Sequence, residues 1–419
     1  MPNLFLIGIF LLFSCLAAVN FRLSIGLLIV ALPTYLLRGN IGPLPTTALE
    51  MAFGAIALLW LVKYAHADWP KLKELAKKNK LIFILTALFL AGTFLAALTN
   101  PNLLKALGLW RAYFLEPIII FVIIVARQID YKFLRDSLAI ATVSISGLAI
   151  IQMVFGGPFP PSLWDDQLFG RPTSFFTTPN AIGLFLVPII LLLAPAIRRL
   201  AEKKSEHGDL CRAGIFILGA IAILASFSQG AWAAFMGGLL VYVFLTGKRQ
   251  LAATVIVMII FGVALVPSLR SAFTFQDQAG QNRLTLWTYS MQYLTASPKH
   301  FVLGSGLRMF FNEVQRPHYN VEEMERLIYP HNIFLNFWLE TGLTGMVAIF
   351  GVYGYLIYCG IKIYQKDKLL GAAILGALVA FLVHGLVDVP YFKNDLAMMF
   401  WVLVGMIVMA KNNLIEKTK

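Results

Sequence analysis

The chain has 419 residues, of which 59% are hydrophobic and 13% charged, and its mean hydropathy is +0.77. Soluble globular chains are about half apolar and about a quarter charged, so a water-soluble domain is excluded. The formal net charge of +13 could suggest nucleic acid, but basic residues in a membrane protein mainly set orientation, and no nucleic-acid partner is expected.

The apolar excess is gathered in runs of roughly 16–22 residues, the length that crosses a bilayer as a helix. In chain order they lie near 4–20, 23–37, 46–62, 81–98, 108–126, 137–155, 180–197, 213–228, 230–246, 251–267, 332–360, 369–388 and 395–410. Barrel strands would alternate with period two, and these runs do not. The pattern predicts an all-α, polytopic transmembrane helical bundle of about 12–13 spans, the first two runs being short. Residues 1–419 read as a single transmembrane domain without an internal repeat. No cleavable leader is expected, because residues 1–20 lack a basic start and a second apolar run follows at once. Cys15, Cys211 and Cys359 have no paired spacing, so neither a disulfide framework nor a cysteine metal site is expected.

The loops set the orientation. Segment 63–80 carries six lysines, and with 127–135, 198–212, 248–249, 362–368 and the C-terminal tail it holds 22 of the 34 Lys and Arg. These alternate loops are predicted to be cytoplasmic. Loops 38–45, 99–107, 156–179, the turn at 226–230, loop 268–330 and loop 389–394 then face outward. Loop 156–179 is rich in Pro, Gly and aromatics. Loop 268–330 is long for a structureless connection and contains the helix-like stretch "NRLTLWTYSMQYL", so it is expected to form an ordered cap over a site.

Candidate chemistry gathers at those outer ends. His331 follows Pro330, which suits the first turn of a helix, and His331, Leu335 and Trp338 would share one face. The partial positive charge of a helix N-terminus favours a neutral imidazole, which can act as a base or accept a proton from a hydroxyl. The same terminus suits phosphate. Position alone also fits a histidine that only caps or packs. Arg171 in "FGRPTSFFTTPN" and Arg283 in "QNRLTLW" lie outside, where orientation gives no reason for them. Guanidinium forks match phosphate oxygens, so two of them beside a helix N-terminus would cradle a pyrophosphate. Each could instead pair with an acid such as Asp165, Asp166 or Glu313. Arg270, Arg308, Arg316, Arg326 and Lys299 are weaker candidates. His384 and Asp388, four apart near a helix end, could pair with each other. Glu340, on the far side of the helix from His331, suits a helix contact. Asp-x-Asp, HExxH and GxxxxGK[ST] are all absent from the sequence, so neither a nucleotide site nor a bound metal is expected.

These residues carry a resemblance. "PHNIFLNFWLETGLTGM" resembles the signature of the O-antigen ligase and polymerase superfamily, with His331, Asn332, Leu335, Trp338, Glu340, Gly342 and Gly345 at its fixed positions. "GRPTSFFTTPNAIGLFL", "SFSQGAWAAFMGGLLVYVFL" and "DVPYFKNDLAMMFWVLVG" are similar to its other segments, in the same order. Gln229 departs from it, standing where the family often has arginine. The resemblance implies transfer of a glycan from undecaprenyl pyrophosphate to a lipid or glycan acceptor such as lipid A core, on the periplasmic face of the inner membrane. It implies no metal, no cofactor and no nucleotide sugar. Its key histidine falls on His331 and its outer-face arginines on Arg171 and Arg283. A polymerase of repeat units shares the same signature, and a small-anion transporter is the alternative of another class.

Overall fold

The structure is a computed structural model that describes residues 3–42, 44–155, 170–265, 267–318 and 326–416. The sequence-predicted partners Asp165 and Asp166 and most of loop 156–179 lie outside the described residues. The architecture is all-α. Its only strands among the described residues form one hairpin, Arg38–Ile41 against Leu44–Thr47. Among the described residues seven helices are long and apolar enough to cross a membrane, or up to nine if each bent helix pair forms one span. The shorter apolar helices Leu4–Val19, Phe21–Val30 and Gln229–Leu245 add to these. Phe21–Val30, at 10 residues, reaches about 15 Å, half of a bilayer core. Many large apolar side chains point outward, among them Val62, Leu104 and Leu265. Lipid imposes no penalty for this exposure, and with the long apolar helices it makes the chain a multi-pass membrane protein.

The two sets of loops form two ends of the bundle. At the lysine-rich end, Arg212 pairs with Asp136 at 2.9 Å, Arg127 with Asp68 at 3.1 Å, and Lys411 donates to Asn79 at 2.6 Å. At the other end, Asn394 donates to Glu50 at 2.9 Å, Asn100 to the Leu307 carbonyl at 2.8 Å and Arg308 to the Tyr113 hydroxyl at 2.8 Å. Loops that alternate in sequence therefore meet their own kind in space.

Small residues let the helices close up, as membrane packing requires. Lys80–Leu98 crosses Ile333–Tyr364 at Gly92, where a Cβ would lie 2.9 Å from the Gly345 nitrogen. Helix Ile333–Tyr364 is broken at Gly342, whose φ of 67° and ψ of 177° are not helical. The break exposes the Leu339 carbonyl, which accepts the backbone N–H of Ser305 at 2.6 Å and of Gly306 at 3.1 Å. Loop 268–330 is largely helical where described, with Gln278–Thr295 its longest helix. It builds a second small core in which Leu286, Leu294, Phe310 and Val314 pack on Leu339.

Candidate active site

The site is built around the turn Leu386–Asp388, which follows helix Lys368–Gly385. Asn332 reaches this turn from one side, donating its Nδ2 to the Leu386 carbonyl at 3.3 Å. Arg283 reaches it from another, donating Nε to the Val387 carbonyl at 3.2 Å. Asp388 itself faces His331, with Oδ1 3.5 Å from Nδ1. This is an ion-pair distance rather than a formed hydrogen bond, and Nδ1 has no hydrogen-bond partner. Histidine–carboxylate contacts in substrate-free sites are commonly this long.

The position of His331 corrects the sequence reading. It is not in the first helical turn. Asn332 is the N-cap, its Oδ1 accepting from Phe334 N at 3.0 Å and Leu335 N at 3.1 Å, and the helix starts at Ile333. Asparagine is among the strongest N-caps, so it outcompetes the pairing of Pro330 with a helical His331. His331 instead takes a left-handed conformation, φ 53°, which is uncommon for a side-chain-bearing residue and recurs at functional sites. Its ring meets Tyr329 edge-on, with centroids 5.0 Å apart. The expected stripe of His331, Leu335 and Trp338 therefore dissolves. Leu335 packs on the loop core, and Trp338 donates to the Phe301 carbonyl at 2.7 Å.

Arg283 sits in the second turn of Gln278–Thr295, and Trp287, one turn on, donates its indole N–H to the Pro330 carbonyl at 3.0 Å. Residues at i and i+4 share a helix face, so one face grips both the Leu386–Asp388 turn and the residue before His331. Arg171 donates Nε to the Ser226 carbonyl at 2.9 Å and Nη2 to Asn180 Oδ1 at 3.4 Å. It thereby ties the start of helix Asn180–Leu191 to the turn before helix Gln229–Leu245. Gly230, in the first turn of that helix, approaches Val387 and His384: a Cβ there would lie 3.0 Å from the Val387 side chain. The Leu386–Asp388 turn thus joins His331 and Arg283 directly, and Arg171 through the 226–230 turn.

The electrostatics follow from this packing. Among the described residues, no acid pairs with Arg171 or Arg283 within 4.0 Å, and Glu313 is not their partner. Burial pulls the Arg171 guanidinium down from its ordinary value. Burial would raise the Asp388 carboxyl, but His331, His384 and the Val389 N–H overcome it and hold it well below the usual carboxylate range. The expected His384–Asp388 side-chain pairing is not formed: the helix ends at Gly385, and Asp388 turns toward His331. The buried His384 Nε2 is left without a hydrogen-bond partner, as are both amide atoms of Asn336.

Three helix N-termini come together here, at Asn180, Gln229 and Ile333. Their partial positive charges add to two guanidinium groups that have no acidic partner among the described residues, which suits a polyanion. With Nδ1 turned to Asp388, His331 has Nε2 left for a reacting proton. Residues that the sequence reading missed are Asp388 as the partner of His331, and Asn332 as the joint between cap and turn.

Residues 214–350 match the family model described as O-Antigen ligase. The match includes His331 and Arg283, whereas Arg171 lies ahead of it. The chain is also 24% identical over 267 residues to "Teichuronic acid biosynthesis protein TuaE" of Bacillus subtilis (strain 168), covering 58% of this chain and 52% of that protein. It thus spans about half the length of the relative it matches. The resemblance read from the sequence is borne out as a match: residues 214–350 are similar to the O-Antigen ligase family model.

Proposed function

We propose that the protein is a glycosyltransferase of the ligase type, which moves a glycan from undecaprenyl pyrophosphate to an acceptor hydroxyl on lipid A core or a similar acceptor. The site would face the periplasmic side of the inner membrane, opposite the lysine-rich loops. The observation that carries this reading is the junction at Leu386–Asp388: a histidine backed by a carboxylate, beside two arginines with no acidic partner among the described residues, at the rim of a helical bundle.

In this reading Arg171, Arg283 and the three helix N-termini hold the pyrophosphate. The acceptor oxygen attacks the anomeric carbon while its proton passes to His331 Nε2. The bond from that carbon to the phosphate oxygen breaks, and undecaprenyl pyrophosphate departs with the electron pair. Asp388 orients the ring and stabilises the imidazolium that forms. A direct displacement of this kind inverts the anomeric centre. The leaving group is already activated as a pyrophosphate, so the chemistry needs no Lewis acid. Gln229 in place of the family arginine leaves that corner to the helix N-terminus and an amide. The family match and the relative's name, which concerns polysaccharide biosynthesis, support the reaction class.

Purified protein, incubated without added metal with undecaprenyl-pyrophosphate glycan and candidate acceptors, tests the proposal. Label moving to lipid A core or another new acceptor is the expected result. A lengthened lipid-linked chain would make it a repeat-unit polymerase with the same chemistry. Anion flux with neither product would overturn the reading in favour of transport.

A further inference from the structure

We propose that Trp287 is a positioning residue for His331: its indole N–H holds the Pro330–His331 peptide and so keeps the imidazole turned toward Asp388. That role rests on the reading of His331 as the base that receives the acceptor's proton. The bond is direct, from Nε1 to the Pro330 carbonyl at 3.0 Å. The plane of that peptide is set by two torsions, the ψ of Pro330 and the φ of His331. Proline fixes only its own φ, so its ring does not hold the plane. Among the described residues the His331 N–H has no acceptor, which leaves the Trp287 bond as the one hydrogen bond on this peptide. His331 has φ 53°, a left-handed backbone that a side-chain-bearing residue keeps only where its surroundings impose it. On its far side the chain is pinned by Asn332, through the helix cap and the bond to the Leu386 carbonyl. Rotation of the Pro330–His331 peptide would swing the His331 side chain about that fixed point and take Nδ1 away from Asp388, now 3.5 Å distant.

The indole is seated by groups that do not involve His331. Its ring meets Phe275 edge-on, with centroids 5.5 Å apart. Phe275 is held against the entry of the same helix: its carbonyl accepts Gln281 Nε2 at 2.6 Å, and a Cβ at Gly280 would lie 2.6 Å from its Cα. Leu286 and Leu294 of that helix are buried in the small core with Leu339. Arg283, one turn before Trp287, donates to the Val387 carbonyl at 3.2 Å. These contacts close a circuit. It runs from Trp287 to Pro330, along the chain to His331, across to Asp388, back one residue to Val387, and through Arg283 to Trp287. In a closed circuit each contact limits the movement of the others. Loss of the Trp287 bond opens it beside the base.

Two variants remove the donor and keep an aromatic ring beside Phe275. Trp287→Phe is the simpler. Trp287→benzothienylalanine replaces the N–H by sulfur in a ring of the same shape, and serves should the smaller ring fold poorly. Asn100→Ala cuts a different bond of loop 268–330, the one to the Leu307 carbonyl at 2.8 Å, and reports the effect of loosening the loop alone. Purified proteins are treated with diethyl pyrocarbonate at fixed pH, and modification of His331 is followed by mass spectrometry, which needs no substrate. The expected result is a several-fold change in the His331 rate in both Trp287 variants and none in Asn100→Ala. In the transfer assay kcat is expected to fall roughly fivefold in the Trp287 variants, the equivalent of one ordinary hydrogen bond, with donor KM little changed. An unchanged His331 rate in the folded Trp287 variants overturns the proposal. So does an equal change in Asn100→Ala, which would make Trp287 only an anchor of the loop, and so does a loss confined to KM. Absence of transfer by the wild type would refute the proposed reaction while leaving the modification result to decide on Trp287.

Discussion

Replacing Asp388 by asparagine keeps the shape of the side chain and an acceptor for the Val389 N–H, which now lies 2.8 Å from Oδ1. What it removes is the negative charge facing His331 Nδ1. A hydrogen bond to a charged group is worth about 1.5–3 kcal/mol net. If that amount is lost mainly in the transition state, where the imidazolium forms, transfer falls by about 10- to 150-fold. The same charge gives a stability signature. The folded-state carboxyl is depressed below an unfolded value near about 3.9. Its stabilisation is therefore complete above that unfolded value and is lost as pH falls through the folded one. Asp388→Asn should lower the apparent Tm at pH 7, and the gap to wild type should narrow below about pH 4. The assay pairs transfer kinetics with thermal unfolding of purified protein from pH 3 to 8. Wild-type transfer by Asp388→Asn, or a Tm gap that widens in acid, would show that the Asp388 charge does not act on His331.

Three further outcomes are expected. Arg171→Ala should cost transfer on the order of 10²–10³ while leaving the protein folded and membrane-inserted, as shown by wild-type-like gel filtration and activity assays run side by side. Gly342→Ala forces a left-handed backbone on alanine and a Cβ toward the Val302 carbonyl, costing at least about 1–3 kcal/mol. Gly54→Ala, inside helix Ala48–Leu59 with nothing within 4 Å, is the control in the same melting experiment and should leave Tm unchanged or raise it, because alanine favours a helix over glycine by up to about 1 kcal/mol. Trp287→Phe loses the bond to the Pro330 carbonyl, about 1 kcal/mol, and should raise proteolysis within loop 268–330 before it affects the bundle.

The bundle was legible because apolar runs and alternating lysine-rich loops are one-dimensional signals. The arginines stood out for a related reason: Arg171 and Arg283 are cations where orientation supplies no motive. Contacts between distant segments were not legible. Pro330 suggests a helical His331, whereas the stronger cap, Asn332, starts the helix after it. The i, i+4 spacing suggests a pairing of Asp388 with His384, but the helix stops at Gly385, so that spacing does not set the geometry. Arg308 looked weak because its partner, Tyr113, lies 195 positions away in sequence. Gly342 read as part of a motif, while its purpose, a helix break that receives loop 304–306, needed the fold.

If His331 takes the proton from the acceptor while the arginines hold the donor, donor binding and transfer are separable. Purified His331→Gln, given radiolabelled undecaprenyl-pyrophosphate glycan and acceptor, separates those two steps. Donor binding close to that of the wild type and transfer reduced to background are expected. Transfer by His331→Gln at the wild-type rate would contradict that role of His331.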